Sequence, residues 1–399
     1  MLRTTLYLTT TLKYTIINTL NFSGDVNMID NRIKIKNDEE TILKFKSLYK
    51  QYGYKLYKMS KFEEYDLYAE NKNFLMNSNI ITFTDLNGKL MALKPDVTLS
   101  IVKNVKDSGH MEKVYYSENV YRVRKSGDEF REILQTGLEC MGDIDAYSLG
   151  EVIMLAAKSL EIISDNYILD ISHTGFVSEL FKDIPENEKE ILLSLVASKN
   201  TVGIKNICEK IGLEKELIDI AYKLTTLYGS FDEVIGILKE ISINEVTDKG
   251  IKELESIHSM LKINKCDKNI NIDFSIINDI NYYNGIVFQG YVSGIPSTIL
   301  SGGRYDKLLN KMGKDAGAIG FAIYLDMLDW ASVNDDDYDT DVLVLYDDDT
   351  DMEYLANAIK VISNSGESVS VLKTKPVGGK YKRIMKINNK GVEEVETVD

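Results

Sequence analysis

The segment Gln135-Thr136-Gly137-Leu138-Glu139, shortly after Val120-Tyr121-Arg122, has the residue types and spacing best suited to chemistry in this chain. Side chains on a strand alternate faces with a period of two. On a strand, then, Gln135, Gly137 and Glu139 point the same way, and an amide, a gap and a carboxylate form one row. Such a row suits an amino acid gripped by its α-amino group. The same alternation sets Arg122 and Arg124 on one face of the preceding strand.

Three further segments carry candidates, and each has a plainer reading beside it. In Leu93-Lys94-Pro95-Asp96-Val97-Thr98, Asp96 and Thr98 are candidate ligands of an ammonium group. Alone, the segment reads as a helix start, because Pro favours the first turn and Asp suits the N-terminal dipole. In Tyr282-Tyr283-Asn284-Gly285-Ile286-Val287-Phe288 the phenol groups can hydrogen-bond an imidazole while the rings line a flat slot,. Tyrosine pairs in strands are more often core packing. The glycines of Ser301-Gly302-Gly303-Arg304-Tyr305-Asp306 allow close backbone approach to a ligand,. Gln135 and Glu139 also read as polar residues on a solvated sheet face. A buried carboxylate, by contrast, is costly without a partner, and a ligand ammonium is a natural one.

The elements that must position these residues are legible from period and turn chemistry. Asn37 to Tyr52 has helical periodicity, with Ile42, Phe45, Leu48 and Tyr49 on one face and Gly53 as a stop,. Ile80–Asp85 and Lys89–Leu93 flank Asn87-Gly88, a hairpin signal,. A helix is expected from Asp96 to Val105. Antiparallel strands are expected from Val114 to Arg124 and from Glu132 to Met141, joined by the loop Lys125–Glu129. Ala146 to about Lys268 reads as mostly helical, and sheet character returns at Asn271–Phe274 and Tyr282–Val292. Helices are expected over Tyr305–Met312 and Ala318–Trp330. Beyond Asp335, a strand at Asp341–Tyr346, a capping box at Thr350-Asp351-Met352-Glu353, a helix to Ile362, and strands at Ser368–Leu372 and Arg383–Ile387 predict a βαββ unit,. Hairpins interleaved with helices indicate α+β.

Composition narrows the function classes. The 399 residues are 44% hydrophobic and 27% charged, ordinary for a globular protein without a bilayer-spanning run,. Cys140, Cys208 and Cys266 are odd in number and scattered, so neither a disulfide framework nor a zinc site is expected, and a cytoplasmic location is,. His110, His173 and His258 are equally scattered, and structural or surface roles are expected for them. The net charge of −15 argues against nucleic acid as the main partner, and so do the ten carboxylates between Asp335 and Glu353,. Residues 1–27 differ from the rest: seven of the first twenty are Thr, and no acid precedes Asp25. An organellar transit peptide is one reading. Initiation near Met28 is preferred.

Together the motif segments resemble the histidyl-tRNA synthetase family of class II synthetase folds, over roughly residues 35 to 330. The resemblance implies an α+β fold, with a class II aminoacyl-tRNA synthetase-like antiparallel sheet and helices plus a small C-terminal α/β domain. It divides the chain into an atypical extension (1–27), a synthetase-like domain (28–332, with a helical insertion about 146–268) and a small α/β domain (333–399) resembling a truncated anticodon-binding domain. Leu93–Thr98 matches the family's Leu-Arg-Pro-Glu-x-Thr, Gln135–Glu139 its Gln-x-Gly-x-Glu, and Tyr282–Phe288 its Tyr-Tyr-x-Gly-x-Val-Phe. By that resemblance Asp96, Thr98, Arg122, Gln135, Glu139, Tyr282 and Tyr283 are the histidine-binding candidates.

The departures fall where the enzymes do chemistry. The enzymes carry an Arg four residues before the first Tyr of the pair, and it activates the carboxylate for attack on ATP; here Asn278 stands there. The third class motif, Gly-Phe-Ala-x-Gly-x-Glu-Arg-Leu, clamps ATP phosphates with its Arg. Here Gly320-Phe321-Ala322-Ile323-Tyr324-Leu325-Asp326-Met327-Leu328 puts Met327 in that place. The second motif, Phe-Arg-x-Glu, is Tyr121-Arg122-Val123-Arg124. Adenylation needs fixed positive charge on a polyphosphate, and each lost guanidinium costs a few kcal/mol of barrier. The chain therefore resembles the family's non-catalytic branch, the regulatory subunits of ATP phosphoribosyltransferase in histidine biosynthesis. That implies no catalytic residues, cofactor or metal, a short-form catalytic subunit as partner, a dimeric core and free histidine as a ligand. It leaves tRNA and membranes disfavoured as partners.

The alternative is a divergent histidyl-tRNA synthetase, which adenylates histidine and charges tRNA. A third reading takes Val342-Leu343-Val344-Leu345-Tyr346-Asp347-Asp348 as a phosphoribosyl-diphosphate loop. Such loops cradle phosphate on the amides of small residues. Here Asp349-Thr350-Asp351-Met352-Glu353 follows, which repels it.

Overall fold

A computed structural model describes residues 37–75, 80–105, 110–123, 129–277, 282–330, 338–388 and 391–397. The extension 1–27, Arg124, most of the loop after it and Asn278 lie outside the described residues. The chain divides into a larger unit, Lys44–Ser332, and a smaller one that contains Val333–Asp399.

The strands of the larger unit are β1 (Lys55–Leu56), β2 (Phe62–Glu64), β3 (Thr82–Thr84), β4 (Leu90–Leu93), β5 (Glu112–Val123), β6 (Phe130–Gly142), β7 (Tyr167–His173), β8 (Tyr228–Ser230), β9 (Ile270–Asp273), β10 (Ile286–Val292), β11 (Leu300–Arg304) and β12 (Gly317–Tyr324). Nine form one sheet in the order β1-β5-β6-β12-β11-β10-β7-β9-β8. All neighbours are antiparallel except β1–β5 and β7–β9. β2, β4 and β3 form a small second sheet, turned at Asn87-Gly88 with Gly88 at φ +82°, as the hairpin signal predicts.

One face of the large sheet is mainly apolar, and the other mixes buried apolar residues such as Val114, Val120 and Val287 with polar ones. Helix Asn37–Gln51 places Phe45 and Tyr49, four residues apart and fully buried, against the apolar face,. Helix Ala146–Ile163 covers more of that face, with Tyr49 bonded to Ser159 at 2.9 Å and Lys113 paired to the buried Glu151 at 2.5 Å. The other face holds the candidate residues.

One expectation fails in this unit, and the mostly helical stretch holds with the strands β7 and β8 inside it. Ala318–Trp330 is not one helix: β12 occupies Gly317–Tyr324 and a 3-10 turn follows at Leu325–Trp330. A short apolar run fits either period, and here the gap between β6 and β11 decides for strand. Within the stretch read as mostly helical, Tyr167–His173 is a strand of the main sheet, paired to β10 over its whole length. His173 ends that strand. Its Nδ1 accepts from the Phe176 amide at 2.9 Å and its Nε2 meets Glu253 at 3.1 Å, a structural role.

The smaller unit is a four-stranded sheet in the order β14-β13-β15-β16, from β13 (Thr340–Leu345), β14 (Val369–Leu372), β15 (Tyr381–Asn388) and β16 (Gly391–Thr397). Helix Met352–Asn364 packs Leu355 and Ile362 on Val342 and Val344. The strand β16 extends the expected βαββ pattern; rich in Glu and at the sheet's edge, it carries little apolar signal,. The helix cap also differs. Asp351, not Thr350, accepts from the Tyr354 amide, while the Thr350 hydroxyl bonds Asp347 and the Ile387 carbonyl. The Asp347 amide bonds Thr350 in return, so it is not free to cradle a phosphate.

Candidate functional site

The site is built on β6. Its Gln135 and Glu139 are 3% and 2% exposed, so the solvated-face reading fails. Register places Glu139 between Val114 of β5 and Gly320 of β12, and Gly137 between Tyr116 and Ala322. Gly320 is obligatory: a Cβ there would lie 1.7 Å from Glu139 Oε2. The strand thus turns a carboxylate into the protein, with no side chain beside it on the β12 side.

The turn from β4 into helix Thr98–Asn104 supplies the second acid. Asp96 Oδ1 accepts from the Leu99 amide at 2.8 Å, which is the helix-start role, and the same residue also lines the cavity. Both readings of the segment hold. Backbone bonds strap this turn between two sheets: Lys94 N to the Lys61 carbonyl at 3.0 Å, and Tyr121 N to the Lys94 carbonyl at 2.9 Å. Arg122 Nε donates to the Pro95 carbonyl at 3.0 Å. The Lys94 ammonium is fully buried and pairs with Glu118 at 3.0 Å.

All seven sequence-predicted residues line one cavity: Asp96, Thr98, Arg122, Gln135, Glu139, Tyr282 and Tyr283. Sequence reasoning missed Tyr116, Tyr305 and Tyr324, which line it too. Tyr305 follows the Gly302-Gly303 pair, and its position just before a helix start is the available signal. Its hydroxyl donates to Glu139 Oε2 at 2.5 Å, and Thr98 Oγ1 donates to Oε1 at 2.7 Å. Tyr282 stacks edge-on against Tyr283 at 4.7 Å and tilts over Tyr305 at 5.9 Å.

Burial shifts the titration of the acids and phenols that line the cavity. Burial pushes the Glu139 carboxyl up to about 8, against the two hydroxyl bonds, and Asp96 adds to the rise. Burial raises Asp96 as well, while the Leu99 amide and Arg122 oppose it. Burial also raises Tyr116, Tyr282 and Tyr305 well above the usual phenol range. A carboxyl held protonated by its surroundings recovers its charge when a cation arrives. The cavity is about 40 Å³, room for about three waters.

At the position of the third-motif Arg, Met327 brings no charge. Met327 accepts from the Ser297 hydroxyl at 3.5 Å, and a thioether cannot neutralise a polyphosphate. A wider cavity of about 480 Å³ at the far end of β6, bordered by Arg304 and Asp306, contains none of the predicted residues. Among the described residues no cluster of His, Cys, Asp and Glu is arranged to hold a metal, and no helix is long and apolar enough to cross a membrane.

The sequence profile of the histidyl-tRNA synthetase family matches residues 33–328. An ATP phosphoribosyltransferase regulatory subunit from Caldanaerobacter subterraneus subsp. tengcongensis is 31% identical over 288 residues, 70% of this chain and 74% of that one. A solved ATP phosphoribosyltransferase regulatory subunit/histidyl-tRNA synthetase from Bacillus halodurans C has a TM-score of 0.73 at 23% identity, covering 89% of this chain and 94% of its own. A chain of the solved ATP phosphoribosyl transferase (HisG:HisZ) complex from Thermotoga maritima has a TM-score of 0.59 at 22% identity, over 73% of this chain and 98% of its own. The two solved structures speak for the fold. The chain belongs to the histidyl-tRNA synthetase family and, within it, to the ATP phosphoribosyltransferase regulatory subunits.

Proposed function

We propose that this chain is the non-catalytic regulatory subunit of ATP phosphoribosyltransferase in histidine biosynthesis, acting in the cytoplasm. It supports a short catalytic subunit and binds free histidine at the cavity on β6. One observation carries the reading: the buried Glu139 and the half-buried Asp96 meet in one tyrosine-lined cavity, while Met327 stands at the position of the synthetases' phosphate-clamping Arg. Asp96, Glu139 and the Gln135 amide pair the ligand ammonium, Tyr283 meets the imidazole, and Arg122 is the cationic partner for the carboxylate. Histidine needs more space than the cavity has, so Tyr282 and its neighbours turn aside on entry, a common rotamer response.

The test has two arms. Mixed with the short catalytic subunit of the same organism, the chain raises phosphoribosyl transfer and confers histidine inhibition. Alone, it shows no histidine-dependent ATP–pyrophosphate exchange and charges no tRNA. A second reading, a divergent histidyl-tRNA synthetase, draws on the family profile and on the retained Arg122. Robust exchange by the purified chain would decide for it.

A further inference from the structure

Three small residues, Gly137, Ala322 and Ser301, stand side by side across β6, β12 and β11 and leave a trough in the cavity floor. Two tyrosines fill it. The Tyr116 hydroxyl is 2.7 Å from where a Cβ on Gly137 would lie. Tyr324 starts opposite Gln135, yet its hydroxyl meets Ser301 Oγ at 2.9 Å. Ser301 pairs with Ala322, so the Tyr324 ring turns back over Ala322 to reach it. Tyr324 is also near enough to Tyr116 to oppose its ionisation.

Position along β12 gives this filling a consequence. The strand runs from Gly320, beside Glu139, through Ala322 to Tyr324, and Met327 follows. In the synthetase pattern the residue at the Met327 position clamps phosphates, and the residue at the Tyr324 position is glycine. A path from the two acids to the phosphate end therefore crosses position 324. Glycine leaves that path open, and a phenol closes it.

We propose that Tyr324 is a specificity-determining plug, whose ring fills the passage needed by any substituent on the ligand's carboxyl group. The cavity then admits a free amino acid and excludes one extended at its carboxyl, an aminoacyl adenylate included. This rests on the amino-acid-binding reading of the same cavity. It adds a steric barrier to the lost phosphate-clamping charge, and the barrier acts equally on an uncharged extension.

Calorimetric titration with two probes tests it: L-histidine, and L-histidine benzylamide, whose carboxyl substituent is bulky and uncharged. Wild type takes histidine and not the benzylamide. Tyr324→Gly takes the benzylamide at least about tenfold more tightly than wild type does. Tyr324→Phe, which keeps the ring, behaves as wild type. Because glycine weakens strands, Tyr324→Ala is measured beside it, and melting curves report folding. A folded Gly or Ala variant with no gain for the benzylamide overturns the plug, as does wild type binding both probes equally. If wild type binds neither probe but Tyr324→Gly binds the benzylamide, histidine sensing fails and the plug stands. If no form binds either probe, both readings fall.

Discussion

Glu139 meets two hydroxyls and the neighbouring Asp96, and its behaviour follows from those contacts. Its carboxyl, ordinarily near 4.5, is held up to about 8 in the folded protein. Between those values the folded state binds more protons than the unfolded chain, so its contribution to stability is full below about 4.5 and is lost as pH rises through about 8,. Wild type should therefore lose melting temperature over that window more steeply than Glu139→Gln, which has no such group. Equal slopes would refute the assignment. Charge pairing with the ligand ammonium gives a second expectation. Truncating one partner of a buried charged pair costs ~2–5 kcal/mol, so Glu139→Gln should weaken histidine binding by at least about tenfold. Below the Glu139 titration, wild-type binding should release a proton, visible as a buffer-dependent heat, and the variant should not. The seven predicted residues were legible because strand alternation and motif spacing are local properties. Tyr116 and Tyr324 were not, because each reaches the trough only through the sheet's lateral pairing.

At the scale of elements, β12 is the piece that both shapes the site and was misread. Its sequence, Gly317-Ala318-Ile319-Gly320-Phe321-Ala322-Ile323-Tyr324, is apolar at nearly every position. A run of that kind satisfies helical and extended periods alike. What makes it a strand is its place between β6 and β11, which only the fold supplies. The same holds for β7, whose partner β10 is more than a hundred residues away along the chain. The hairpin at Asn87-Gly88 and the long β5–β6 pair were readable, since turn residues and nearby pairing set them. Gly320→Ala tests the fit of β12. Its methyl would collide with Glu139 Oε2 and lie 2.5 Å from the Leu138 carbonyl. The latter is backbone, so the strand must shift. Overpacking of this kind costs typically ~1–3 kcal/mol. Urea unfolding should show that loss together with weaker histidine binding. Gly236→Ala, inside a helix where a Cβ meets nothing, should raise stability slightly and leave binding unchanged. A stable Gly320→Ala protein with intact binding would contradict the register.

For the whole molecule, the remaining question is how the larger unit presents itself to partners. Its sheet ends at β1, a strand of two exposed residues, so one edge offers unpaired backbone groups,. The small sheet adds exposed apolar surface. Phe62 and Phe83 are 49% and 38% exposed and touch edge-to-face at 5.7 Å, with Leu90 at 46% nearby in the same sheet. Together they are candidates for a contact surface. By its resemblance to the class II framework, the chain is expected to form a dimer across that framework's first-motif helix and strand. A twofold contact uses the same patch on both copies, so one substitution alters it twice. Sedimentation of the wild-type chain at micromolar concentration should therefore report a dimer. Phe62→Ser with Phe83→Ser should shift the chain toward monomer while its melting temperature changes little, because neither ring lies in the core. A clean wild-type monomer, alone and with the catalytic subunit present, would sink the dimer. A double variant that stays dimeric would move the interface away from the small sheet and leave the first-motif helix and strand to carry it.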